Sequence, residues 1–315
     1  MNMHSKKRVY FLGALLICVL ALSYIYRANK KDDFNTEPHL QEGGEVGLSI
    51  SDQSGAFLYD EELLEISDGS ATLTVWLEHT KAQAEEYGLI VLQNFIQTPF
   101  YKDGNNIDHI FEFKAESYSE NKLQIDVPIN EETLELSVII VRKPNEIIED
   151  FQLETALQLE QVFVKRYIIK DQSIYNKEDL LTTAEPDKVI KDDVNPDLFI
   201  SSQSVDLSSF SSINEDDNFY MHVGNNLSSE ESIDYIIVGF KDWVQYSFID
   251  NIESLYIPEI DSGERRVFEL ITPSVEKKEN IQFIAFPYPY ERWDDRFYTK
   301  AQGSFRIVAV PHINK

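Results

Sequence analysis

The sequence predicts an all-β protein: two tandem antiparallel β-sandwich domains of immunoglobulin-like type, following an N-terminal transmembrane helix. Three observations carry this. The phrase "YGLIVLQNFIQTPF" at residues 87–100 returns as "YIIVGFKDWVQYSF" at residues 235–248. Short segments of alternating polarity, separated by turn residues, recur through both copies. An apolar run flanked by basic residues opens the chain.

Residues 1–8 are a short tail ending in Lys6, Lys7 and Arg8, and residues 9–26 are apolar. At 1.5 Å per residue that run spans about 27 Å, close to the ~30 Å hydrocarbon core of a bilayer. Tyr10, Tyr24 and Tyr26 stand where interfacial aromatics lie, and Arg27, Lys30 and Lys31 close the run. An uncleaved anchor is the reading adopted, with the short basic tail cytoplasmic and the large remainder extracellular. Secretion after signal cleavage near Ala21-Leu22-Ser23 is the alternative. A lipoprotein is disfavoured, because Ile17 precedes Cys18 where a small residue is needed. Residues 27–47 are polar, carry a Gly pair and read as a flexible stalk.

The two copies extend well beyond the phrase. An offset of 148 pairs Tyr87 with Tyr235, Leu92 with Phe240, Phe95 with Trp243, Gln97 with Gln245 and Val75 with Val223. A shift of three then brings Pro128 onto Pro273, Leu136 onto Ile281 and Pro144 onto Pro289. Upstream, "ISDQS" from Ile50 answers "ISSQS" from Ile200. The repeats are placed at 48–170 and 198–315, with a polar linker at 171–197. In "KLQIDVPI", Leu123, Ile125, Val127 and Ile129 share one face, as in a half-buried strand. Phe219, Met221 and Val223 do the same. About seven such strands in 120 residues is the arithmetic of a sandwich, although the cysteine pair of antibody domains is missing. "EIIEDFQLETALQLEQVF" breaks the pattern and reads as a short helix with Phe151, Thr155 and Leu159 on one stripe.

Charge and composition exclude several classes of function. The formal net charge is −27, and since residues 1–31 hold six basic and no acidic side chains, the remainder carries −33. Such a field repels nucleic acid and anionic lipid, and permits cations or basic peptides as partners. Cys18 is the sole cysteine, so the folded part has no disulfide, zinc thiolate or cysteine nucleophile. Six histidines are scattered singly, and no HExxH, GxSxG or phosphate-binding glycine loop occurs. No catalytic, cofactor or metal residues are assigned, and the chain is read as a non-enzyme.

Two loops gather hard oxygen ligands, "KDGNNID" at residues 102–108 and "NEDDN" at 214–218. Neither matches the twelve-residue calcium loop, so solvated turns are expected ahead of calcium sites. The stretch "FPYPYERWDDRFY" has no aromatic counterpart in the first copy. Tyr288, Tyr290, Trp293 and Tyr298 are therefore the candidate partner-binding residues, since such side chains give large contact area at low entropic cost. The shared Tyr, Gln and Phe of the doubled phrase are instead read as requirements of the fold. The expected role is a binding module for a protein or cell-surface ligand. An assembly subunit and a glycan-acting enzyme of the cell envelope are the alternatives.

Overall fold

A computed structural model describes residues 45–60, 63–169, 181–191, 196–225, 232–249, 251–291 and 301–312. The first half contributes β1 (Val46–Ser51), β2 (Phe57–Leu58), β3 (Ser70–His79), β4 (Glu85–Gln93), β5 (Ile96–Gln97) and β6 (Phe100–Lys102). It continues with β7 (Asn105–Ile107), β8 (Phe111–Ala115), β9 (Ser119–Pro128), β10 (Glu135–Arg142), the helix α1 (Leu153–Glu160) and β11 (Val162–Ile168). The second half holds β12 (Thr182–Thr183), β13 (Lys188–Lys191), β14 (Phe199–Ser201), β15 (Ser212–Asn214), β16 (Asn218–Gly224) and β17 (Ile233–Lys241). It ends with β18 (Val244–Gln245), β19 (Ser254–Ile260), β20 (Glu264–Ile271), β21 (Glu279–Pro287), β22 (Gln302–Gly303) and β23 (Ile307–Val310).

These strands form four sheets, and the order within them repeats. In the first half, β1-β3-β9 sits within one sheet and β11-β10-β4 with β8 forms the other. The second half matches it with β14-β16-β20 and with β23-β21-β17-β19. Leu136 faces Gln93 and Ile281 faces Lys241, so the central pair keeps one register in both halves at the offset seen in the sequence. In the outer sheets Val75 faces Leu123, whereas Val223 faces Arg266, two residues short of the Phe268 that the sequence match selects. A slip of two leaves every side chain on its own face, which is why both versions pack.

Three apolar layers separate the four sheets. Tyr87, Leu89 and Val91 of β4 meet Leu73, Val75, Ile125 and Val127 in the first core. Tyr235 and Ile237 of β17 meet Phe219, Met221, Phe268 and Leu270 in the second. The opposite faces of the same two strands, Ile90 and Leu92 with Ile236, Val238 and Phe240, close on each other in a third layer. Strands β4 and β17 are thus covered on both sides, and that demands the unbroken apolar run of the doubled phrase instead of strict alternation. From Glu45 onward the chain forms one compact unit.

Local departures from expectation have simple causes. The helix forms, with Ala156 and Leu159 turned inward, but Phe151 precedes it and is exposed. Part of the expected linker is folded: β12 runs parallel to β19 and β13 antiparallel to β20, adding an edge strand to each sheet of the second half. "DKVIK" is short, charged and edge-compatible, so a polar composition hides its pairing. The expected tail and anchor, residues 1–26, and the stalk up to residue 44 lie outside the described residues. Among the described residues no helix is long and apolar enough to cross a membrane.

Candidate functional site

Two places gather polar chemistry: the seam between the halves, and a groove on the second half. At the seam, β4 turns into β5 through Asn94 and Phe95 (φ 49° and 64°), and β17 turns into β18 through Asp242 and Trp243 (φ 43° and 66°). Two successive left-handed residues make the two-residue turn that suits the twist of a hairpin, at a steric cost for side chains as large as Phe and Trp. The preceding side chain offsets that cost. Asn94 Oδ1 accepts from the backbone N–H of Leu134 and Glu135, at 2.8 and 3.2 Å, and Asp242 Oδ1 accepts from Asn280 N–H at 2.8 Å.

Beyond each turn a glutamine reaches across the seam to its counterpart. Gln245 N–H donates to Gln97 Oε1 at 2.8 Å, and Gln97 N–H donates to Gln245 Oε1. The Gln97 side-chain amide then donates to Trp243 O (2.8 Å), and that of Gln245 to Phe95 O (3.0 Å). The pairing is reciprocal, as a local two-fold relation between copies requires. Trp243 Nε1 donates to Pro144 O at 2.8 Å, and the buried Arg306 guanidinium lies 4.8 Å from the Trp243 ring while donating to Lys143 O and Arg142 O. Burial pushes the Arg306 guanidinium down to about 9.

The Tyr288 side chain packs in the second core while its carbonyl accepts from Arg166 at the seam, and Tyr290 packs in the seam layer itself. They are 4% and 2% exposed. Arg166 pairs with Glu135 at 2.6 Å and also donates to Pro287 O (2.7 Å) and Tyr288 O (3.2 Å). Glu135 Oε2 accepts from Tyr290 N–H at 2.9 Å, and the Tyr290 ring meets Phe95 edge-on at 5.2 Å. An ion pair of the first half therefore grips the turn of the second. Trp293 and Tyr298 lie outside the described residues. Sequence reading missed Glu135 and Arg166, although a charge inside "LELSVIIVR" and "VFVKRYII" is the available signal, because a buried charge needs a partner.

The groove, about 650 Å³ in volume, is lined by Leu181, Thr183, Ser232, Asp234, Tyr256, Pro258, Glu259, Tyr288 and Glu291. A bulge creates it. Ile233 pairs with Ile260 but Tyr235 pairs with Ile257, so Pro258 and Glu259 together oppose Asp234. Pro258 has no N–H to give the ladder, and Glu259 takes φ 44°. Asp234 holds the bulge closed: its carboxylate accepts from Glu259 N–H and from the Tyr256 hydroxyl, both at 2.8 Å. Burial and that bond push the Tyr256 phenol above its ordinary range. The lining holds three carboxylates and no basic side chain, which suits a cationic ligand, but Asp234 is already engaged in holding the fold.

The two oxygen-rich loops are turns. Asp103 and Gly104 (φ 52° and 78°) link β6 to β7, and Asn214 donates to Asp217 at 2.9 Å beside Asp216 (φ 64°). Among the described residues no three His, Cys, Asp or Glu side chains come together as metal ligands would. His222 is buried with Nε2 3.0 Å from Gln203 O, and His109 lies exposed.

No family model and no curated protein matches the chain. Among solved structures it is similar to a FixG-related protein from Vibrio parahaemolyticus, at 16% identity and TM-score 0.24, covering 40% of this chain and 96% of that one. It is also similar to a pilin in complex with its chaperone from Salmonella enterica, at 12% identity and TM-score 0.24, covering 86% and 98%. A chaperone–tip adhesion subunit complex from Acinetobacter baumannii gives 11% identity and TM-score 0.23, covering 85% and 99%. At these TM-scores the likenesses carry no argument about this chain.

Proposed function

We propose that this protein is a membrane-anchored, extracytoplasmic interaction module built from two immunoglobulin-like β-sandwiches that act as one rigid body. The observation that supports it best is the reciprocal Gln97–Gln245 pairing beside the apolar layer between the halves. The sheet faces that would otherwise be sticky are used against each other, so the unit offers a partner only its outer faces, its edges and the acidic groove. Residues 9–26 supply the anchor in this reading, and residues 27–44 supply reach. An assembly subunit is the second reading, favoured by the same fixed geometry, because a rigid spacer sets the distance between neighbours.

The test is photo-cross-linking in intact cells from exposed positions such as Tyr101, Tyr118 and Val244, together with protease shaving of the same cells. A discrete adduct from at least one position, and digestion of the folded part from outside, are expected. A variable or soluble neighbour separates the binding reading from the assembly reading, which requires a stoichiometric one. A full set of positions without adducts would reject an interaction role, and loss of a cell-envelope activity in Asp234→Asn or Glu259→Gln would put an enzyme in its place.

A further inference from the structure

The halves differ in the connection between their last long strands. In the second half its described part begins with the turn gripped by Arg166; in the first it is α1. That helix buries Ala156 and Leu159 and turns Leu153 and Leu157 to solvent, 57% and 48% exposed. Four residues apart, the two leucines form one stripe. Phe151 extends it at 37% exposure, and its ring meets Phe305 edge-on at 5.9 Å, while Phe305 meets Phe199 edge-on at 5.6 Å. The apolar strip therefore runs from the first half onto the second. Clustered exposure of large apolar side chains marks an interaction surface, where single exposed ones do not.

Charge selects the occupant. Glu149, Asp150 and Glu154 stand exposed beside the strip, Glu149 with the exposed Lys278 ammonium 3.3 Å from its carboxylate. A second copy brings the same acidity, and an anionic lipid surface is repelled by a folded part carrying −33. What complements an apolar stripe with an acidic rim is an apolar stripe with a basic rim. We propose that the outer face of α1 docks a basic amphipathic helix of a partner protein, whose apolar stripe covers Phe151, Leu153 and Leu157 while its Lys and Arg side chains meet Glu149, Asp150 and Glu154. The proposal rests on the interaction reading above and names the kind of partner.

The experiment uses the full-length chain and a synthetic Leu/Lys peptide of about 18 residues with helical periodicity, followed by fluorescence anisotropy at roughly physiological salt. Binding is expected to weaken at least about tenfold in L153S/L157S, which keeps the charge, and in E149Q/D150N/E154Q, which keeps the apolar face. Both variants should melt with the parent, since all five side chains are exposed. Unchanged affinity in L153S/L157S would reduce the effect to bulk charge and overturn the proposal. Equal binding of the Leu/Glu counterpart would do the same. Self-association lost in L153S/L157S would assign the face to a second copy, and adsorption to vesicles of phosphatidylglycerol and phosphatidylcholine lost in that variant would assign it to lipid; either result refutes it. If adducts form in cells from other positions while the peptide test fails, only this face is refuted and the interaction reading stands.

Discussion

Gln97 and Gln245 lie 148 positions apart in sequence and bond to each other across the seam, so their contributions should be coupled. Gln97→Ala and Gln245→Ala should each lower stability by about 1–2 kcal/mol, and the double substitution should cost clearly less than their sum. Denaturant unfolding measures this, and simple additivity would mean the pair makes no joint contribution. Two carboxylates give opposite pH signatures. Burial alone would raise Glu85, but hydrogen bonds from Arg142, Tyr87 and Lys81 outweigh it and hold the carboxyl at about 2. A depressed folded value means stability present above the unfolded value near pH 4.5 and lost as pH falls toward 2. Glu85→Gln should cost about 3 kcal/mol at pH 7 and remove that acid loss; an unaltered acid limb would count against the network. Burial pushes the Glu160 carboxyl up to about 7. A raised value means stability present below pH 4.5 and lost as pH rises through 7. Glu160→Gln should therefore match the parent near pH 4 and exceed it at pH 8, by on the order of 1 kcal/mol.

At the scale of elements, α1 is held against the second half by close backbone contact. Gln282 donates to Leu159 O at 3.1 Å, and a Cβ added at Gly303 would collide with the Glu160 carbonyl oxygen. Gly303→Ala should cost more than about 2 kcal/mol and speed amide exchange across residues 153–160, because the obstacle is backbone that cannot rotate away. If the variant matches the parent in both respects, the helix is not seated there. Legibility in the sequence follows the physics of each element. Strands wet on one face announce themselves by period two, as in residues 122–129, and the helix shows in the spacing of Thr155 and Leu159. β12 and β13 were hidden because edge strands need little apolar content. The packing within the aromatic stretch is hidden for a related reason. Tyr290 has no aromatic counterpart in the first copy, yet its ring packs on Phe95 and its N–H meets Glu135 of the other half, and no local pattern reports a contact between positions 135 and 290.

For the whole molecule, the repeat could be read from sequence and its consequence could not. The doubled phrase looked like a core strand in each of two separate domains. It is also the surface by which the copies join, since a strand covered on both faces and a strand in a one-sided core differ only in how completely alternation is lost. Covering both faces leaves the two halves sharing a layer, so they should unfold together. Amide exchange of the full-length chain, followed by mass spectrometry on peptides spanning residues 87–95 and 235–243, tests this most directly. Both segments should exchange only through global unfolding, with opening free energies within about 1 kcal/mol of each other, and Gln97→Ala should lower both alike. Protection lost in one half while the other keeps its own would contradict a single cooperative body.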